Sequence, residues 1–175
     1  MWKINLWMLP VVWWIAPALM AQSCDNTITA TTPSSQFQRP GNGTVTDTQT
    51  GLMWKQCHEG QLGADCSAGL VAQVAWDQAL QIPATVNSGG GFAGYTDWRL
   101  PNIKELRTIV EEQCVNPALN TVIFPGGQSL FVWSGSPNAN DSLSYAWIVF
   151  FSNGSTDDAF PLNDNKVVRL VRSGQ

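Results

Sequence analysis

The chain predicts an α+β domain in which two helices pack on an antiparallel sheet joined by long loops. Three observations carry that prediction. A hairpin pattern comes first, two stretches of helical periodicity follow, and the last third alternates short apolar runs with turn residues. With 175 residues and a 44% hydrophobic composition, the chain suffices for one domain with a sizeable core.

The elements follow in order. In residues 45–55, "TVTD" alternates, "TQTG" supplies the turn and "LMWK" returns, as a hairpin does. Residues 57–69 are a loop. Residues 70–82 form the first helix, with Val71, Val74, Ala75 and Ala79 at helical spacing and Pro83 as its end. After the "NSGGG" loop, residues 97–100 make a short strand. Residues 103–114 form the second helix, with Ile103, Leu106, Val110 and Cys114 along one stripe. Asn102 caps it and Glu105 completes a capping box. Residues 130–134, 145–152 and 167–172 are strands, separated by the turns "SPNANDS", "SNGSTDD" and "LNDN".

The beginning of the chain stands apart. Lys3, an apolar run over residues 4–20 and then Ala21 make residues 1–21 a signal peptide. Pro10 and Pro17 interrupt the run and polar sequence follows at once, which argues against a membrane anchor. Residues 22–36 are rich in Ser, Thr, Pro and Gln and read as an extended arm, with the domain proper over residues 37–173. Nine basic residues less Lys3, set against 13 acidic ones, leave the mature chain near −5. That balance excludes an ordinary nucleic-acid binder, which carries a basic stripe.

Cys24, Cys57, Cys66 and Cys114 are an even set in an exported chain and predict two disulfides. Four cysteines allow three connectivities. The expected one closes the Gly-rich loop through Cys57–Cys66 and ties the arm to the domain through Cys24–Cys114. No Cys-x-x-Cys occurs and His58 lacks a second ligand at metal spacing, so no metal site is expected.

"DWRLPN" poses the sharpest local question, because Asp97, Trp98 and Arg99 set acid, aromatic and base side by side. Strand alternation puts Asp97 and Arg99 on one face, paired with each other or with turn backbone, and Trp98 and Leu100 in the core. Pro101 ends the strand. With no nucleophile nominated nearby, the stretch reads as a structural elbow. Trp54, Trp76, Trp98 and Trp147 are expected as core aromatics, and Trp133, beside the "SGSPNAN" turn, as the exposed one. Glu111 and Glu112 point different ways on a helix, so no catalytic carboxylate pair emerges. The turn residues Asn138, Asn140, Asp141, Asn153, Asp157, Asp158, Asn163 and Asp164 offer oxygen ligands of the kind calcium takes, yet no EF-hand spacing organises them. No cofactor beyond that ion is expected.

Taken together, "GNGTVTDTQTGLMWKQ", "AWDQAL", "GYTDWRLPNIKEL", "NPAL", "VWSGS", "AWIVFFSNG" and "VVRLVR" resemble, in order, the Lcl C-terminal-like domain family, named for a collagen-like bacterial surface adhesin. The resemblance implies a C-type-lectin-like fold, related to that of formylglycine-generating enzymes, and a role in binding at a cell surface. It carries no catalytic residues. Many relatives have a cysteine where Leu170 stands here, so the disulfide scheme of this chain differs from theirs.

The leading expectation is therefore a secreted or surface-associated, non-enzymatic binding or adhesion module for a carbohydrate or protein partner. Its ligand surface is expected on Trp133 and the C-terminal turns, where polar loops sit on a rigid sheet. A formylglycine-generating-type enzyme would need a reactive cysteine pair, and no cysteine follows Cys114. A structural subunit of a pilus, phage tail or envelope assembly would use the apolar "FVWSG" and "WIVFF" edges.

Overall fold

The computed structural model describes residues 21–174. The expected signal peptide lies outside the described residues except for Ala21. In chain order the elements are β1 (Ser23–Cys24), a 3-10 turn at Ser34–Gln36, β2 (Phe37–Gln38), β3 (Thr44–Asp47), β4 (Leu52–Lys55), β5 (Gln61–Leu62), β6 (Ala68–Gly69), β7 (Gln73–Val74), α1 (Trp76–Ser88) and α2 (Ile103–Arg107). The remaining strands are β8 (Cys114–Val115), β9 (Phe131–Pro137), β10 (Tyr145–Phe150), β11 (Ser155–Pro161), β12 (Lys166–Val167) and β13 (Val171–Ser173). The class is α+β. No helix of the described residues is long and apolar enough to cross a membrane.

Two sheets dominate. One has the order β11-β10-β9-β12-β7 and the other β13-β4-β3-β2. Pairing is antiparallel except where β12 runs parallel to β9 through Val167 and Val132. One face of the larger sheet packs Val132, Val149 and Val167 against Leu106 and Ile109 and against Val45 and Trp54 of the second sheet. Its other face packs Trp133, Ile148 and Ala146 with Ala79, and Ile82 and Val86 of α1 join them. The alternation of side chains along each strand thus feeds two cores at once.

The hairpin forms as expected, with Val45 opposite Trp54. Asp47 holds its turn by accepting from the Gln49 amide at 2.9 Å and the Thr50 hydroxyl at 2.8 Å. Both disulfides also form as expected, Cys24–Cys114 and Cys57–Cys66.

Other elements depart from expectation for identifiable reasons. Residues 70–75 are extended rather than helical, because β7 pairs with β12 and the Ala72 amide donates to Glu59 O. The helix starts at Trp76 and runs through Pro83 instead of ending there. Proline leaves the Ala79 carbonyl without its helical donor. Burial of Ala79, Ile82 and Val86 on the sheet outweighs that loss. The second helix is cut to five residues. Beyond Arg107, the Glu111 amide donates to Ala118 O and the Glu111 carboxylate receives the N-terminal arm, so tertiary partners replace helical ones. The arm is accordingly not a free linker. Thr31 and Thr32 each give that carboxylate an amide and a hydroxyl hydrogen bond, at 2.8–3.1 Å.

Residues 97–100 reduce to a single bridge between Arg99 and Val171. The turn expected over residues 152–158 ends at Gly154, where φ is +77°, and residues 155–161 form an edge strand. The "VVRLVR" strand is split: β12 belongs to the larger sheet and β13 to the smaller, with buried Val168, Arg169 and Leu170 crossing between them.

Candidate functional site

The "DWR" elbow forms, but its pairing differs from the expected one. Asp97 and Arg99 do not pair with each other. The Arg99 guanidinium donates twice to Glu105, at 2.7 and 2.6 Å, bracing the capping box in which Asn102 Oδ1 accepts from the Glu105 amide at 2.9 Å. Arg172 Nε donates to Asp97 at 2.7 Å while its guanidinium lies 3.9 Å from the Tyr95 ring centroid. The Arg172 hydrogen bond holds the Asp97 carboxyl below its usual range. Trp98 and Leu100 enter the core as expected. Asn87 binds both the amide and the carbonyl of Trp98, at 3.0 and 2.8 Å.

The C-terminal residues expected to bind ligand are dispersed. Trp133 is fully buried, and its indole N–H donates to Val74 O at 2.9 Å. It serves as a core aromatic under α1 and cannot stack on a ligand. Among the described tryptophans, Trp54 and Trp98 are buried too, and Trp76 and Trp147 are half-buried. Asn138 is also buried. It accepts from the Asn140 and Asp141 amides and donates to Asp158 O at 3.0 Å, so it ties a turn together. Asp157 and Asp158 lie in β11 rather than in a turn, and Asp157 is occupied by the Ala159 amide. Asn153 sits at the opposite end of β10 from Asn140 and Asp141, where it accepts from the Ser155 amide. Asp164 pairs with Lys166 at 3.0 Å beside Asn163. Among the described residues, no three His, Cys, Asp or Glu side chains gather as a metal site.

The structure instead forms a cleft of about 480 Å³ at the other end of the sequence, lined by none of those residues. Its walls are the loop Gly41–Asn42–Gly43, the segment from Gly60 to Ala64, and the Phe92 ring. Local chemistry builds each wall. Asn42 Oδ1 accepts from the Thr44 amide and hydroxyl, fixing the first loop. Gly43 has φ +83°, and a Cβ there would come within 2.8 Å of the Phe92 ring. In the second wall, β5 and β6 form a small hairpin whose connecting loop is tied to the floor by Cys57–Cys66. Gly60 has φ +86°, and a Cβ on it would lie 2.1 Å from Leu70 O, so only glycine fits.

The floor is built where the chain leaves β4. Lys55, Cys57 and Glu59 line the cleft, whereas Gln56 and His58 are buried behind it. Lys55 Nζ pairs with Glu59 at 2.7 Å, the two side chains being 13% and 11% exposed. The same ammonium lies 4.4 Å from the Phe92 ring centroid. Behind them Arg169 donates to Lys55 O at 2.9 Å and to Gln56 O, and its Nη2 lies 3.2 Å from His58 Nε2. Burial pushes Arg169 down to about 9, with Glu59 opposing that fall. Burial, and then Arg169, push His58 well below its ordinary range, so its ring is neutral and accepts from the guanidinium. Leu62 on the rim is 65% exposed.

Sequence reasoning missed Lys55, Glu59, Phe92 and Arg169. The local signal was present in the Gly-rich "RPGNG" and "HEGQLG" stretches and in the four-residue spacing of Lys55 and Glu59. Their convergence with Phe92 and Arg169 was not, because it depends on strand pairing over long separations.

The fold and the cleft define a disulfide-braced α+β domain with a concave site built on glycine turns. The chain belongs to the Lcl C-terminal domain family, whose sequence model matches residues 43–172. That span starts at the cleft wall and ends at Arg172. No curated protein matches the chain.

Proposed function

We propose that this is an exported, non-enzymatic binding or adhesion module on a C-type-lectin-like frame, and that its ligand occupies the cleft between Lys55, Glu59, Phe92 and Leu62. The observation that carries the reading is the cleft itself. Its volume, about 480 Å³, lies in the range of small-ligand sites, roughly 300–1,000 Å³. Its walls are held by a disulfide, an asparagine-capped loop and sterically required glycines. Such pre-ordering lowers the entropy lost on binding.

All four cysteines are in disulfides, so the thiol pair that a formylglycine-generating-type enzyme needs is not available. The two disulfides also agree with export to an oxidising compartment. The ligand is a surface glycan or a segment of a protein partner.

Combined glycan and peptide arrays test the reading, probed with the wild-type domain and with Leu62→Arg, which alters an exposed rim residue. Wild-type signals that disappear in Leu62→Arg place the function in the cleft. Signals equal in both proteins refute the site.

A further inference from the structure

The charge at the cleft floor does not balance. Lys55 and Arg169 bring two cations to the segment from Lys55 to Glu59, and Glu59 is the one carboxylate paired there. His58, the other titratable side chain packed against Arg169, is neutral. The remaining acid of this loop, Asp65, points to solvent and is occupied by Ser67. Water and salt screen it, whereas a fully buried guanidinium is screened far less. Arg169 makes its polar contacts with two carbonyl oxygens and a neutral ring, none of which cancels its charge.

This surplus of one positive charge lies beneath an otherwise acidic chain of net charge −4. The other described cations that are at least half-buried are matched, Arg172 by Asp97, Arg99 by Glu105 and Lys166 by Asp164, whereas Arg39 and Lys104 are exposed to solvent. Above the floor the surroundings turn apolar, with the Phe92 ring on one side and exposed Leu62 on the other. Low-dielectric walls around a charge of one sign focus its field into the opening.

We infer that the cleft takes a carboxylate joined directly to an apolar group, with the carboxylate toward Lys55 and the apolar part between Phe92 and Leu62. The inference rests on the reading of this cleft as the binding site. Two sources present such a group: the free C-terminus of a polypeptide ending in an apolar residue, and a small free carboxylic acid. Glu59 competes with the ligand for Lys55, which tempers the attraction and makes a distinctive prediction. Removing the Glu59 charge strengthens binding, whereas removing that of Lys55 weakens it.

The test is a calorimetric and NMR titration of the disulfide-intact domain with four probes. These are 4-methylpentanoate, its primary amide, and an N-acetylated Gly-Gly-Leu peptide with a free or an amidated C-terminus. At least one acid should bind tenfold or more tighter than its amide, with shifts centred on Lys55, Phe92 and Leu62. The peptide acid binding tighter assigns the ligand to polypeptide termini, and the small acid binding tighter assigns it to free acids. Glu59→Gln should raise acid affinity several-fold, and Lys55→Gln should lower it at least tenfold. Circular dichroism confirms that each variant is folded, and Leu143→Arg, at an exposed residue outside the cleft, provides a surface control that should leave acid affinity unchanged. Equal affinity of acid and amide overturns the charge assignment, as does acid binding unchanged in both floor variants. If array signals that depend on Leu62 persist alongside equal acid and amide binding, the site stands and the anionic ligand falls. If the arrays also ignore Leu62, both fall.

Discussion

Trp98 links the elbow to the cleft, and replacing it tests that link quantitatively. Its ring is 1% exposed, its indole N–H donates to Phe92 O at 3.1 Å, and it meets the Phe92 ring edge-on at 5.8 Å between centroids. Phe92 in turn lines the cleft and carries Lys55 on its face. An aromatic side chain buries roughly 150–250 Å². At ~25 cal/mol per Å² that is about 4–6 kcal/mol of gross transfer energy. Alanine keeps part of it and the cavity collapses only partly, so Trp98→Ala should cost about 3–5 kcal/mol. Trp98→Phe keeps most of the packing and removes the N–H donor, costing about 1–2 kcal/mol. Equilibrium urea unfolding with both disulfides intact measures each value, with the m-value checked for constancy. In Trp98→Phe, faster amide exchange at Phe92 should accompany the loss. A Trp98→Ala cost below about 1.5 kcal/mol at unchanged m would refute the assignment of Trp98 as the central support of the elbow.

Four further outcomes follow from the same geometry. Glu111→Gln replaces an acceptor-only carboxylate, which receives four donors of Thr31 and Thr32, by an amide whose NH2 faces some of those donors, and should destabilise by about 2–3 kcal/mol in urea unfolding, with exchange protection lost first in the arm. Stability should fall in acid. Burial raises the Glu111 pKa, but its hydrogen bonds lower it further, so its contribution is present above its unfolded pKa and lost as pH falls through the lower folded one. His58 adds to that loss at higher pH, because its folded pKa is depressed: stability declines as pH drops below about 6.5, where only the unfolded chain takes up the proton. His58→Gln should flatten that part of a stability–pH profile. Opening Cys24–Cys114, with 90 residues of separation, should cost about 4–5 kcal/mol by loop entropy, against about 2–3 kcal/mol for Cys57–Cys66 with 9, as compared by thermal and urea unfolding of paired Ser variants. Asp97→Asn should change stability by less than about 1 kcal/mol, since that carboxylate is 58% exposed. Arg172→Ala should cost more in the same assay, because its guanidinium is buried and stacked on Tyr95.

Local patterns carried the hairpin, the capping box at Asn102 and Glu105, and the burial of Trp98 and Leu100, because each depends on neighbours within a few residues. They misjudged Pro83, the length of the second helix and the exposure of Trp133. In each case a partner far along the chain outweighed the local preference: the sheet beneath α1, Ala118 and the arm at Glu111, and Val74 O above the Trp133 indole. Asp157 and Asp158 fall in a strand rather than a turn, and Asn153 and Asp141 lie at opposite ends of β10, a separation that spacing in sequence does not encode.

The class of fold, the cysteine set, the family resemblance and the elements that local spacing specifies are all legible in the order of residues. Where a cavity opens, and what charge lies beneath it, follows from the packed chain. Lys55 and Arg169 are more than a hundred residues apart and meet because the "VVRLVR" segment crosses between two sheets. Field and shape at a site are sums over side chains brought together by strand pairing, and no local pattern contains that sum.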